Sequence, residues 1–289
     1  MWLWGCATEL EAQQRIMLMD TTHTFSARWE LEERYQQGTF LITPYKPVYV
    51  LPFDWSSNPN VAPTSENPDY TWTFDDLPLN AVEAKFQLSF KTKIAQGLFN
   101  GHGDIWAAYT QTSRWQVYNE LSRPFRESNF EPEFILSFAT NYRVLGFKAS
   151  MASVSLNHQS NGRAAPVSRS WNRVIFMFSF EKPNWTILFR PWIRIPDSDD
   201  ENPDITSTLG NGEIIVIKAF GRHQLSAQIR NTFDFVLPVK GSVQLDWAFP
   251  IMGRLQGYTQ IFYGYGESMI DYNHLQARIG FGVALLMWK

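Results

Sequence analysis

VEAKFQLSFKTKI, residues 82–94, sets Ala84, Phe86, Leu88, Phe90, Thr92 and Ile94 against Lys85, Gln87, Ser89, Lys91 and Lys93. Successive side chains of a strand point to opposite faces, so this alternation predicts a strand with one apolar and one strongly polar face. Segments of the same kind follow at 104–116, 130–142, 147–158, 170–181, 185–195, 213–220, 224–233, 242–249, 255–265 and 274–288. A Val- and Tyr-rich run bounded by prolines at 45–53 precedes the first, which makes twelve.

The links between these segments alternate too. Those at 95–103, 143–146, 182–184, 221–223 and 250–254 are short, whereas 54–80, 117–129, 159–169, 196–212, 234–241 and 266–273 are mostly longer and more polar. Strands of about ten residues, even in number, with short turns at one end and long loops at the other, predict an all-β, antiparallel transmembrane β-barrel. The expectation is 12 strands, with short periplasmic turns and longer extracellular loops. A soluble sandwich also buries one face of each strand and stays as a rival, although such cores seldom need so many aromatics at strand ends.

Composition points the same way. Aromatic residues make up 16%, with 12 Trp and 22 Phe, and charged residues only 18%, against about 25% charged in soluble domains. No apolar run reaches the roughly 18 residues of a transmembrane helix, so a membrane form must satisfy its backbone in a closed barrel. A net charge of -3 lacks the basic excess that neutralises phosphates, which sets nucleic acid aside. Cys6 stands alone, so no internal disulfide is expected. Residues 1–13 lack a basic start and a long apolar run, so no intact signal peptide is expected there. A weak helical pattern covers 27–37, with Gly38 as its stop.

Near the end of the chain, Val243, Leu245, Trp247 and Phe249 oppose Ser242, Gln244 and Asp246, and the final segment repeats the pattern. The apolar set is expected to face lipid. The polar set then fills a narrow interior, which predicts a poor pore.

The chemistry concentrates in NHQSNGRAAPVSRSWNR, residues 157–173. By parity, His158 and Ser160 continue the face of Val154 and Leu156, and Asn172 continues that of Val174, Phe176 and Phe178. All three are therefore expected to point outward, at the long-loop end of adjacent strands. His158 and Ser160, two apart on a strand, suit a general base and its nucleophile. Asn172 can accept the other imidazole N–H and fix the tautomer, without placing an anion at the edge of hydrocarbon. Gly162 offers a backbone N–H to an oxyanion. Hydroxyls and carbonyls of the polar loop suit a hard cation such as Ca2+ better than Zn2+. An isolated His-x-Ser is also an ordinary surface pattern, and Ser, Asn and Gly are ordinary turn residues.

In this spacing His158, Ser160, Asn161, Gly162, Arg163, Ser168, Arg169, Ser170, Trp171, Asn172 and Arg173 resemble the signature of the outer-membrane phospholipase A family. The likeness extends through PFRESNFEP (124–132), NPDIT (202–206) and YGYGESMIDY (263–272), and covers roughly residue 41 to the end. It implies a twelve-stranded bacterial outer-membrane barrel, active as a homodimer, that uses Ca2+ to hydrolyse sn-1 and sn-2 acyl esters of phospholipids and lysophospholipids. The resemblance makes Ser160 the nucleophile, His158 the base, Asn172 the orienter and Gly162 the oxyanion donor. It assigns calcium to the Arg163 carbonyl and Ser168 of one subunit with Ser122 of the other, and puts Gln111 on the dimer surface. The expected organisation is an N-terminal periplasmic segment, 1–42, followed by the barrel, 43–289.

Three features depart from the family pattern. Ala165 replaces an acid associated with further calcium binding, which leaves Asp199 and Asp200 as candidate extra ligands. The chain ends on Trp288 and Lys289 instead of on a terminal aromatic, and residues 1–40 match poorly. The rival reading from another class is a non-catalytic barrel, a narrow porin or structural protein with a degenerate site.

Overall fold

The computed structural model describes residues 24–75, 77–121, 124–232 and 240–288. The chain runs through β1 (Ile42–Pro44), β2 (Val48–Ser56), β3 (Val82–Gly97), β4 (Gly103–Trp115), β5 (Phe125–Val144), β6 (Phe147–Ser160) and β7 (Ser170–Lys182). It continues through β8 (Trp185–Ile195), β9 (Gly212–Phe220), β10 (His223–Asn231), β11 (Gly241–Met252), β12 (Leu255–Gly264) and β13 (Gln276–Leu286). Each strand from β2 to β13 pairs antiparallel with the next, and β13 pairs back onto β2, so the sheet closes into a barrel of twelve staves. Closure rules out the sandwich.

The extra segment is half of a broken stave. β1 lies against Phe90–Thr92 of β3, and β2 lies against Val82–Gln87 on the same edge. Pro47, with no N–H to give, sits in the break. The break lets Tyr45 and Lys46 turn inward, where the Tyr45 hydroxyl donates to Glu133 at 3.0 Å and Lys46 meets Glu131 at 2.6 Å.

Faces are inverted relative to a soluble protein. On β3, Lys85, Lys91 and Lys93 are buried while Leu88 is 50% exposed and Phe90 41%. The same parity exposes Phe134, Leu156 and Ile193 and buries Arg114, Arg173 and Arg190. Polar side chains therefore fill the lumen and apolar ones form the lipid-facing band.

Many of the lumen charges are paired. Arg278 reaches Asp54 at 2.7 Å and Glu83 at 2.6 Å, Arg190 reaches Glu213 at 2.5 Å, and Lys93 reaches both Glu30 and Asp104 at 2.9 Å. Breaking such a buried pair from one side costs about 3–5 kcal/mol, because the remaining charge is stranded.

Two segments fill the ends. At the short-turn end a helical turn, Phe25–Arg28, buries Phe25 and Trp29 against Tyr45 and Trp106. The helix expected at 27–37 is instead this turn and a 3-10 turn, Glu33–Tyr35. Glu30 separates them with φ +52°, drawn to Lys93 in the lumen. At the long-loop end, segment 265–275 folds inward: Glu267 pairs with Lys85 at 2.7 Å, and Asp271 binds Arg126 through two bonds of 2.7 and 2.8 Å. A polar cavity of about 120 Å³, lined by residues including Lys85, Arg114, Glu131 and Arg173, lies between.

Turn lengths sort as expected. The connections at 98–102, 145–146, 183–184, 221–222 and 253–254 share one end, and the six longer ones share the other. Leu145 and Gly146 both have positive φ, as a two-residue hairpin loop requires.

Candidate active site

β6 and β7 form a hairpin joined by residues 161–169. In its register His158 stands directly opposite Asn172, and Ser160 opposite Ser170. The inward residues of both strands fix this pairing. Arg173 donates to Asn157 Oδ1 at 2.7 Å and to Gln159 Oε1 at 3.1 Å, Trp171 donates to Gln159 Oε1 at 2.9 Å, and Arg173 also meets Glu131 at 3.2 Å. With Asn157, Trp171 and Arg173 held in the lumen, alternation turns His158, Ser160 and Asn172 to the outer surface.

There His158 Nδ1 lies 2.8 Å from Asn172 Oδ1, a hydrogen bond in which the imidazole N–H donates to the amide oxygen. That tautomer leaves Nε2 as the basic nitrogen. Ser160 is half-buried on the same face, and its hydroxyl makes no hydrogen bond among the described residues. The structure thus brings the expected base and orienter together, and the expected nucleophile is not hydrogen-bonded to the imidazole. Such contacts often close only with substrate bound.

The loop explains its glycine. Gly162 has φ +60°, and a Cβ there would come within 3.0 Å of the Phe130 ring. Both the left-handed backbone and the close approach require glycine. Gly162 and Arg163 are exposed.

Ser168 is half-buried and donates to Glu201 Oε1 at 2.5 Å. The other oxygen of that carboxylate is buried without a hydrogen-bond partner. Glu201 is the residue that sequence reasoning missed. Asp199 is exposed, and Asp200 is taken up by Arg194 at 2.6 Å. Among the described residues no three His, Cys, Asp or Glu side chains gather as a metal site. The donors on offer are a hydroxyl, one carboxylate with an orphaned oxygen, and loop carbonyls, a set that fits Ca2+. Ser122 lies outside the described residues.

Gln111 points outward on β4, accepting from the Tyr109 hydroxyl at 3.1 Å and donating to Ser113 at 3.1 Å. Ser113 bonds Ser128 at 2.8 Å, so a polar ladder crosses an otherwise apolar surface. Gln111 faces Phe130, and Phe130 faces Ser160. The glutamine and the serine therefore share one cross-strand row, two strands or about 10 Å apart.

A closed barrel with a histidine–asparagine pair on its outer wall defines a membrane protein whose chemistry faces the lipid side. Comparison with known proteins narrows this. The family model described as Phospholipase A1 matches residues 25–285. A phospholipase A1 of Klebsiella pneumoniae is 38% identical over 247 residues, covering 85% of this chain and 82% of the relative. The solved Salmonella typhi outer membrane phospholipase dimer with bound calcium superposes with a TM-score of 0.80 at 34% identity, covering 91% of this chain and 98% of the other. An Escherichia coli outer membrane phospholipase A carrying an asparagine-to-alanine active-site substitution gives 0.79 at 33%, covering 92% and 100%. The chain belongs to the phospholipase A1 family, and is an enzyme of the outer membrane. The match begins at residue 25, earlier than the resemblance near residue 41, and so takes in the plugging turn at Phe25–Arg28.

Proposed function

We propose that this chain is a calcium-dependent phospholipase that hydrolyses sn-1 and sn-2 acyl esters of phospholipids and lysophospholipids at the outer leaflet, as a homodimer. The observation that carries this is the outward His158–Asn172 hydrogen bond beside Ser160, at the edge of a lipid-facing band. An asparagine belongs to the active site of the E. coli relative by its description, and the S. typhi relative is a calcium-bound dimer.

In this mechanism Ser160 Oγ attacks the ester carbonyl carbon while His158 Nε2 takes its proton. Asn172 holds the ring and its charge as imidazolium forms. The carbonyl oxygen, now anionic, receives the Gly162 N–H. Collapse breaks the ester C–O bond, and the imidazolium returns its proton to the leaving alkoxide. A water then attacks the acyl-serine with the same base and frees the fatty acid.

The residues assigned to hold calcium are the Arg163 carbonyl and Ser168, with the partner subunit's Ser122, and the Glu201 carboxylate joins them. Bound there, the ion would supply positive charge to offset the developing oxyanion. In the proposed dimer Gln111 lies in the interface, and its sharing a cross-strand row with Ser160 supports a partner that walls the acyl groove. The proposed division is an N-terminal periplasmic segment, 1–42, whose residues 25–30 reach into the short-turn end of the barrel, and the barrel domain, 43–289. The filled lumen speaks against the porin alternative.

The test is fatty-acid release from mixed micelles. Wild type is expected to be active with Ca2+ and silent in EDTA, and Ser160→Ala silent in both. Release by folded Ser160→Ala at the wild-type rate would overturn the assignment.

A further inference from the structure

Asn161 sits between outward Ser160 and exposed Gly162, with its own side chain buried in the barrel mouth. Its Oδ1 accepts the N–H groups of Arg163 at 3.2 Å and Arg169 at 3.0 Å. Its Nδ2 donates to the Val167 carbonyl at 2.8 Å and to Glu127 Oε1 at 3.1 Å. One carboxamide thus uses both lone pairs and both hydrogens. The backbone adds a fifth contact, Asn161 N–H to the Arg169 carbonyl at 3.0 Å.

The contacts close the loop on itself. Arg163 and Arg169 bracket the stretch that carries the proposed calcium donors, and both their peptide N–H groups are turned inward to one oxygen. Glu127, itself buried, ties this clamp to the rest of the barrel mouth, because its Oε1 also accepts the Ile270 N–H at 2.7 Å. Its nearest substitutes do not reproduce these contacts. Aspartate has no donor and would set a carboxylate against Glu127, and serine lacks the two amide hydrogens.

We propose that Asn161 is the positioning residue of the calcium loop, holding residues 162–168 in the shape that converges the Arg163 carbonyl and Ser168. This rests on the reading of that loop as the calcium site. Asn161 itself touches neither substrate nor metal. Loss of such supporting contacts typically weakens metal affinity by about 10- to 100-fold.

The experiment uses the full chain, folded in mixed micelles. Two quantities are read: the Ca2+ concentration for half-maximal fatty-acid release, and hydrogen–deuterium exchange of peptides covering 161–169 in EDTA. Asn161→Asp is expected to raise half-maximal Ca2+ about tenfold or more and to speed exchange in 161–169 without altering the barrel's heat-dependent gel mobility. Adding Glu127→Gln removes the opposing carboxylate and should recover part of the loss. If Asn161→Asp does not fold, Asn161→Ser takes its place with the same readouts. An unshifted Ca2+ midpoint beside a Ca2+-dependent wild type overturns the positioning role alone. Wild-type release that needs no Ca2+ overturns the calcium reading of the loop and this proposal with it.

Discussion

Replacing Asn172 with alanine removes the acceptor that holds His158 Nδ1 at 2.8 Å and leaves Ser160 and the loop in place. As the imidazolium forms, that hydrogen bond becomes one to a charged group, worth about 1.5–3 kcal/mol. At about 1.4 kcal/mol per tenfold, kcat should fall about ten- to hundredfold. KM should hold, because the amide lies behind the base and away from the ester. The assay is fatty-acid release at saturating Ca2+ across a substrate series. Asn172→Asp sharpens it: a carboxylate beside the ring favours the charged imidazolium, so the acid limb of kcat/KM should move to higher pH. A loss as complete as that of Ser160→Ala, or a change in KM alone, would refute the orienting role.

Other outcomes follow from the same geometry. Glu201→Gln keeps a hydrogen-bond partner for Ser168 but removes the charge, and should raise the Ca2+ needed for half-maximal activity, read by titration after EDTA treatment. If the proposed dimer forms through Gln111, Gln111→Leu should weaken it several-fold, since two symmetry-related membrane hydrogen bonds are worth about 0.6 kcal/mol each; sedimentation in detergent reads it. Arg278→Met strands Asp54 and Glu83 in the lumen and should cost about 3–5 kcal/mol in urea unfolding. Burial pushes the Asp271 carboxyl up, but the paired Arg126 outweighs it and holds the group well below its ordinary value. Its stabilisation is therefore full above about pH 4 and lost only as pH falls further. The Arg126–Asp271 contribution to exchange protection of 265–275 should accordingly stay level from neutral pH down to that point.

How far the sequence can be read depends on where a polar side chain points. Residues 82–94 are unambiguous because every second position is Lys, Gln or Ser, and β3 is the result. Alternation alone starts β5 at residue 130, yet the strand begins at Phe125. Arg126 and Glu127 look like loop residues in isolation, but they point into the lumen, where Asp271 and Asn161 receive them. A barrel interior is as polar as a loop, so composition cannot separate the two. Parity does place His158, Ser160 and Asn172 on one outer surface, and the register sets the last opposite the first. Glu201 is invisible in the sequence because Asp199, Asp200 and Glu201 are equivalent as text. Only the fold of segment 196–211 decides which carboxylate meets Ser168.

Ser160 on the outer wall, as the nucleophile, should react with a long-chain sulfonyl fluoride. Incubated with folded protein and Ca2+, then digested and mapped by mass spectrometry, the label should sit on Ser160, one per active site, with activity lost in proportion. Labelling and inactivation at any other residue, with Ser160 unmodified, would contradict the account.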